Sequence, residues 1–180
     1  MDLKTLRVTE ADGVITITLN RPERRNALNP LLIGELTALL EDLAGRNYGV
    51  VILTGAESAF CAGLDLDHLQ SLSSQSPSQQ REDSERIARL FRILYDLPLP
   101  TIAAVNGHAI AGGMGLATIC DFTLSVPQAK FGYTEGRIGF VPAIVASFFD
   151  LADWRKESTR PVADGPANHC GRGKTIGAGE

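Results

Sequence analysis

An α/β fold is what this sequence predicts, on three observations. Short runs rich in β-branched residues, at Val14 to Leu19, Val50 to Leu53 and Thr101 to Val105, read as strands. Leu32, Leu36, Leu39 and Leu43, and further on Ile87, Leu90, Phe91 and Leu94, recur at helical spacing. The two kinds of segment alternate along the chain, which is the order of an α/β architecture.

Val14 to Leu19 closes at Asn20-Arg21-Pro22, a strand followed by a loop. Asn29 before Pro30 is a helix start, the cap preceding a proline whose missing N–H costs nothing at the first helical position. That helix should end near Gly45. Val50 to Leu53, closed by Thr54-Gly55, is short and β-branched, which argues for a buried strand. Leu69 to Gln80 is rich in serine and glutamine, contains Pro77 and has no period, so a flexible loop or insertion is expected there. A second amphipathic helix runs from Glu82 and stops before Pro98 and Pro100. Thr101 to Val105 is a buried strand, followed by a glycine-rich turn and an apolar helix from about Gly112 to Ile119. Asp121 to Val126 is a further strand.

Composition narrows the class. A chain of 180 residues, 44% hydrophobic and 21% charged, is ordinary for one soluble domain. Its net charge of −4 comes without a lysine/arginine cluster, which argues against nucleic acid as a partner. No window approaches the roughly 18 consecutive apolar residues of a membrane helix, and the N-terminus lacks a signal-peptide run. Cys61, Cys120 and Cys170, widely spaced, read as reduced thiols of a cytoplasmic protein. His68, His108 and His169 are isolated, and no metal is expected.

Three stretches carry chemistry: Ala59 to Leu66 (AFCAGLDL), Asn106 to Gly113 (NGHAIAGG) and Phe131 to Glu135 (FGYTE). The first two put small residues on turns where a helix is about to start. Free N–H groups at such turns can converge on an oxygen that becomes negative during reaction. Gly112 is a candidate donor, because the first N–H groups of the helix it opens have no intrahelical acceptor. The third stretch supplies a carboxylate, Glu135, beyond a strand. A dinucleotide site is the competing reading of strand, glycine turn and helix. It fails because Gly112-Gly113-Met114-Gly115 is not Gly-x-Gly-x-x-Gly and the turn from Val105 to Gly112 is too long.

In order and spacing these stretches resemble the crotonase, or enoyl-CoA hydratase/isomerase, family, from about Val14 to Phe149. The resemblance implies a right-handed spiral of ββα units. It implies that Leu64 and Gly112 form the oxyanion site and that Glu135 is the catalytic acid/base, with a pKa raised by half-burial. Coenzyme A, as part of the substrate and not a separate cofactor, would lie across the Arg24, Arg25 and Ala27 loop and the Ala62-Gly63 turn. The implied reaction is hydration of a 2-enoyl-CoA to a 3-hydroxyacyl-CoA. Gly115 departs from the two-glutamate members, which carry their other carboxylate there. Isomerisation by a single glutamate, or an inactive acyl-CoA-binding fragment, are therefore the alternatives.

After about residue 150 the resemblance stops. Between Leu151 and Glu180 the only large apolar residues are Leu151, Trp154, Val162 and Ile176, without a helical period. The reading is a spiral domain over 1–150 and an irregular, non-native tail over 151–180. A shifted reading frame across Asp153 to Pro166 can encode a segment like the family's next helix. The family's C-terminal trimerisation helices would then be missing, which puts its homotrimer, or dimer of trimers, in doubt for this chain.

Overall fold

Asp12 and Gly13 both sit at positive φ, 51° and 77°, and reverse the chain as a two-residue hairpin turn. They join β1 (Leu6–Ala11) to β2 (Val14–Leu19) in an antiparallel pair. Pattern reading does not find β1, an edge strand whose residues after Leu6 are mostly exposed; the Asp-Gly dipeptide is the signal that could have found it. The computed structural model describes residues 3–138, 143–147 and 174–175.

From β2 the sheet grows by parallel additions: β3 (Val50–Gly55), β5 (Thr101–Val105), β7 (Phe122–Ser125) and the two-residue β9 (Lys174–Thr175), giving the order β1-β2-β3-β5-β7-β9. Alternation buries one face of it, through Ile15, Ile17 and Leu19, then Val51 and Leu53, then Ala103 and Val105. Helix α1 (Pro30–Leu43) lays Leu32, Leu36, Leu39, Leu40 and Leu43 into the same core. Its cap is the expected one, the Asn29 side chain accepting from the Leu32 N–H at 2.9 Å. Each fully buried leucine contributes about 2 kcal/mol over exposure.

The expected loop over Leu69 to Gln80 is mostly helix. Helix α2 (Leu66–Leu72) and helix α3 (Pro77–Tyr95) leave only Ser73 to Ser76 between them. Ser76 and Gln79 form a reciprocal capping box, and Pro77 takes the first helical position. The first turns of α3 lack apolar period because they face solvent, laced by ion pairs such as Arg81–Glu85 at 2.9 Å. Further along, Ile87, Leu90, Phe91 and Leu94 are buried as their spacing requires.

A second sheet is small and wholly parallel: β4 (Ala59–Cys61), β6 (His108–Ile110) and β8 (Phe131–Gly132), in that order. Each turn of the chain thus gives one strand to the large sheet, one to the small sheet and then a helical segment. The spiral of ββα units is the architecture that the family resemblance implied. Side chains stitch successive turns together. Asn106 accepts from Gly55 N–H at 3.1 Å and donates to the Glu57 carbonyl at 2.8 Å. Asp121 accepts from the Thr101 N–H and hydroxyl, both at 2.9 Å.

Of the expected tail, 151–180, only Lys174–Thr175 are described; they form β9 beside β7. The remaining tail residues lie outside the described ones. Among the described residues no helix is long and apolar enough to cross a membrane.

Candidate active site

All three strands of the small sheet end on the same side, and each predicted site segment starts where one of them stops. Cys61 is followed by Ala62-Gly63-Leu64, Ile110 by Ala111-Gly112, and Gly132 by Tyr133-Thr134-Glu135. Parallel strands therefore deliver three sequence-distant segments to one edge, the place where open α/β sheets bind ligands. The three segments that the motifs singled out thus start from one edge of the small sheet.

Two backbone N–H groups are set there by the same device. Gly63 has φ 89°, a conformation glycine adopts without cost, and its carbonyl accepts from Leu28 N–H at 2.8 Å. The peptide linking Gly63 to Leu64 is trans and planar, so the Leu64 N–H points the opposite way, away from Leu28. On the other turn the Ala111 carbonyl accepts from Gly115 N–H at 3.0 Å, the first bond of α4 (Gly112–Ile119). The Gly112 N–H, on the opposite side of that peptide, is thereby aimed out of the helix. Neither Leu64 nor Gly112 N–H meets an acceptor among the described residues.

The two turns abut. A Cβ built on Gly112 would stand 3.9 Å from the Leu64 nitrogen, and one built on Gly63 would stand 3.3 Å from the Gly112 nitrogen. Ala111 holds φ 51° and ψ −122°, a combination that suits glycine and costs an alanine about 1–3 kcal/mol. It is fixed from both sides, its N–H donating to Gly132 at 2.8 Å and its carbonyl held by Gly115.

Glu135 opens a 3-10 turn, Glu135–Ile138, just past β8. Tyr133, two residues earlier, has its hydroxyl 3.3 Å from that of Thr118 on α4, tying this segment to the helix that carries Gly112. The Glu135 Oε2 is buried and finds no hydrogen-bond partner among the described residues. Burial raises the Glu135 pKa above its ordinary value, against a smaller opposing effect of its own N–H. A half-buried, underused carboxylate of this kind is suited to taking up and returning a proton.

Gly115 lies one helical turn beyond Gly112. A Cβ there would stand 2.6 Å from Val145 Cγ2 and 2.7 Å from Phe91 Cε1. Val145 belongs to α5 (Ala143–Ala146), and both neighbours are buried. The place of a second carboxylate is thus filled by an aromatic ring and an isopropyl group.

The predicted coenzyme-binding segments also meet. Ala62 N–H donates to the Arg25 carbonyl at 3.0 Å, which locks the turn to the loop. Arg24 is exposed and paired with Asp67 at 2.7 Å, while the exposed Arg25 has no ion-pair partner among the described residues. Ala27 is buried, its carbonyl taken by Arg21 Nη1 at 2.5 Å.

Sequence reading missed Arg21 and Asn26. Asn26, fully buried at φ 57°, donates to the Ala56 and Ala59 carbonyls at 2.9 and 2.7 Å. Arg21 pairs with the buried Asp65 at 2.9 Å. Neither carries a local pattern; a buried polar residue in a loop is visible only once the loop is folded. His68 is satisfied by Asp83 at 2.9 Å across α2 and α3. Cys61 and Cys120 are free thiols that burial pushes up to about 12. Among the described residues no group of three or more His, Cys, Asp or Glu gathers as a metal site.

Known proteins resemble this chain in sequence and in shape. The sequence pattern of the enoyl-CoA hydratase/isomerase family matches residues 9–151. A Thermus thermophilus protein, provisionally named an enoyl-CoA hydratase, is 38% identical over 169 residues, covering 93% of this chain and 67% of its own. A hydroxycinnamoyl-CoA hydratase-lyase of Pseudomonas fluorescens is 36% identical, covering 80% of this chain and 53% of its own. The crystal structure of an enoyl-CoA hydratase from Shewanella pealeana superposes with a TM-score of 0.81 at 27% identity, covering 86% of this chain and 60% of its own. The chain spans between about half and two thirds of the length of these proteins.

Proposed function

Because the chain belongs to the enoyl-CoA hydratase/isomerase family, we propose that it acts on an acyl-CoA thioester, hydrating a 2-enoyl-CoA to the 3-hydroxyacyl-CoA. The observation that carries this reading is the pair of N–H groups of Leu64 and Gly112, both without acceptors among the described residues, on the strand edge that also presents the underused carboxylate of Glu135.

In this reading the thioester oxygen accepts from both N–H groups. Glu135 takes a proton from water as the water oxygen bonds to C3. The C2–C3 π electrons move onto the thioester oxygen, forming an enolate. Two preorganised donors offset its charge, each by about 3 kcal/mol. The enolate then collapses, and C2 takes back the proton held by Glu135. One carboxylate closes the cycle, a reading supported by the Phe91 and Val145 contacts that leave no room for a side chain at Gly115. Coenzyme A crosses the Arg24 and Arg25 loop and the Ala62-Gly63 turn, where the arginines can meet phosphate.

The same packing at Gly115 favours a second reading, isomerisation of a 3-enoyl-CoA. There Glu135 removes a C2 proton, leaving a dienolate whose charge rests on the same thioester oxygen; as it collapses the C3–C4 double bond moves to C2–C3 and the proton returns at C4. Mixing the protein with a 2-enoyl-CoA and, separately, with a 3-enoyl-CoA tests both. Loss of conjugated-thioester absorbance marks hydration and its gain marks isomerisation. Binding without either change makes the chain an acyl-CoA binder, and no binding overturns the reading.

A further inference from the structure

We infer that Arg21 is a positioning residue for the Leu64 N–H, an inference that rests on the acyl-CoA reading of this site. Leu64 makes its own bridge to Leu28 through neighbouring groups: Leu28 N–H donates to Gly63 at 2.8 Å, and Asp65 N–H donates to Leu28 at 2.9 Å. The direction of the Leu64 N–H therefore depends on where Leu28 and Asp65 are held. Both are held by Arg21. Its Nη1 donates to the carbonyl of Ala27, the residue before Leu28, and its Nη2 pairs with Asp65 Oδ2 at 2.9 Å.

The guanidinium fork thus spans the two chain segments joined by the bridge, one tine on each. Asp65 is filled on its other oxygen by Asp67 N–H at 3.1 Å, so the carboxylate has a single orientation. Arg21 is itself seated by the loop: its N–H donates to Asn26 Oδ1 at 2.9 Å, and its carbonyl accepts from Asn26 N–H at 2.9 Å. The pair is largely withdrawn from water, with 14% and 8% of the two side chains exposed, so solvent screens it little. A planar fork fits two acceptors held at fixed spacing; an ammonium group is a point and cannot span them. Arg21 touches neither oxyanion donor, so its effect passes through Asp65 and Leu28.

Arg21→Met and Arg21→Lys test this below the melting transition, with far-ultraviolet circular dichroism matched to the parent. One readout is the split between kcat and KM on the enoyl-CoA that the wild type turns over. The other is the shift of an aryl-conjugated enoyl-CoA to longer wavelength, which reports carbonyl polarisation on binding. The expected result for Arg21→Met is a kcat lower by on the order of 10- to 100-fold with KM within about threefold. Its spectral shift should shrink, and Arg21→Lys should lie between Met and the parent. A folded Arg21→Met with parental kcat and parental shift overturns the inference and leaves the acyl-CoA reading standing. If Arg21→Met does not fold, Arg21→Lys alone decides, and an unchanged kcat and shift again overturn it. A wild type that neither shifts the probe nor turns over any enoyl-CoA removes the functional reading, and this inference with it.

Discussion

The six-stranded and three-stranded sheets are made by the same turns of chain, yet they differ in what their residues are for. Strands β2, β3 and β5 of the large sheet run five or six residues and bury every second side chain in the core that α1 and α3 share. The strands of the small sheet run two or three residues, too short for a hydrophobic period to matter. In the proposed function their value lies in the turns they lead into, at Leu64, Gly112 and Glu135. A fold of this kind separates the part that supplies free energy from the part that aims groups. Substitutions in the two sheets should therefore fail in different ways.

The largest expected effect is on the small-sheet side. Glu135→Gln keeps the shape but cannot exchange a proton, and should lower kcat by on the order of 10³-fold while acyl-CoA binding stays near parental. Steady-state rates and a binding isotherm check it. Activity within a few-fold of the parent would remove Glu135 from the mechanism. On the large-sheet side, Leu36→Ala empties a fully buried position and should cost about 3 kcal/mol of stability with little change in kcat once folded. Urea denaturation measures the first and initial rates the second. If Leu36→Ala abolished turnover in a folded protein, the division between the sheets would be wrong.

The smallest effect is a sign. The Glu135 pKa is raised by burial in the folded chain, so its proton is held more tightly there than in the unfolded chain. This contributes stability that is fully present below the ordinary 4.5 and is lost as pH rises through the higher folded value. At neutral pH the ionised carboxylate is a cost that Glu135→Gln removes. That variant should therefore melt higher than the parent at pH 7, and the gap should close as pH falls below 4.5. A gap that widens on acidification would contradict the burial argument.

The same division explains what could be read from sequence. The long alternating strands and the leucine-spaced helix α1 were legible because burial writes a period into them. The helix from Gly112 to Ile119 was legible from its glycine turn and apolar run. β4, β6 and β8 were not, since two or three residues hold no period. Nor was the amino-terminal part of α3, whose polar turns are specified by a capping box at Ser76 and not by a core. Leu64, Gly112 and Glu135 of the proposed site were singled out through motifs. Arg21 was invisible, because its partners Ala27 and Asp65 are joined only by the fold. What pattern reading recovers is local; what it loses is any contact whose meaning depends on two distant segments meeting.

The buried thiols turn this division into something that can be timed. Cys61 lies in β4 of the small sheet, and Cys120 lies between α4 and β7 at the large one. With its pKa pushed up to about 12 by burial, each stays a protonated thiol at neutral pH. Each should ignore an alkylating reagent until its surroundings open. In a Cys170→Ser background, two labelling rates followed by peptide mass would then report two opening equilibria from one sample. If the aiming sheet can open while the core-forming sheet stays closed, Cys61 will be modified first. Equal rates would mean that the spiral opens only as a whole, and that site and core share one clock.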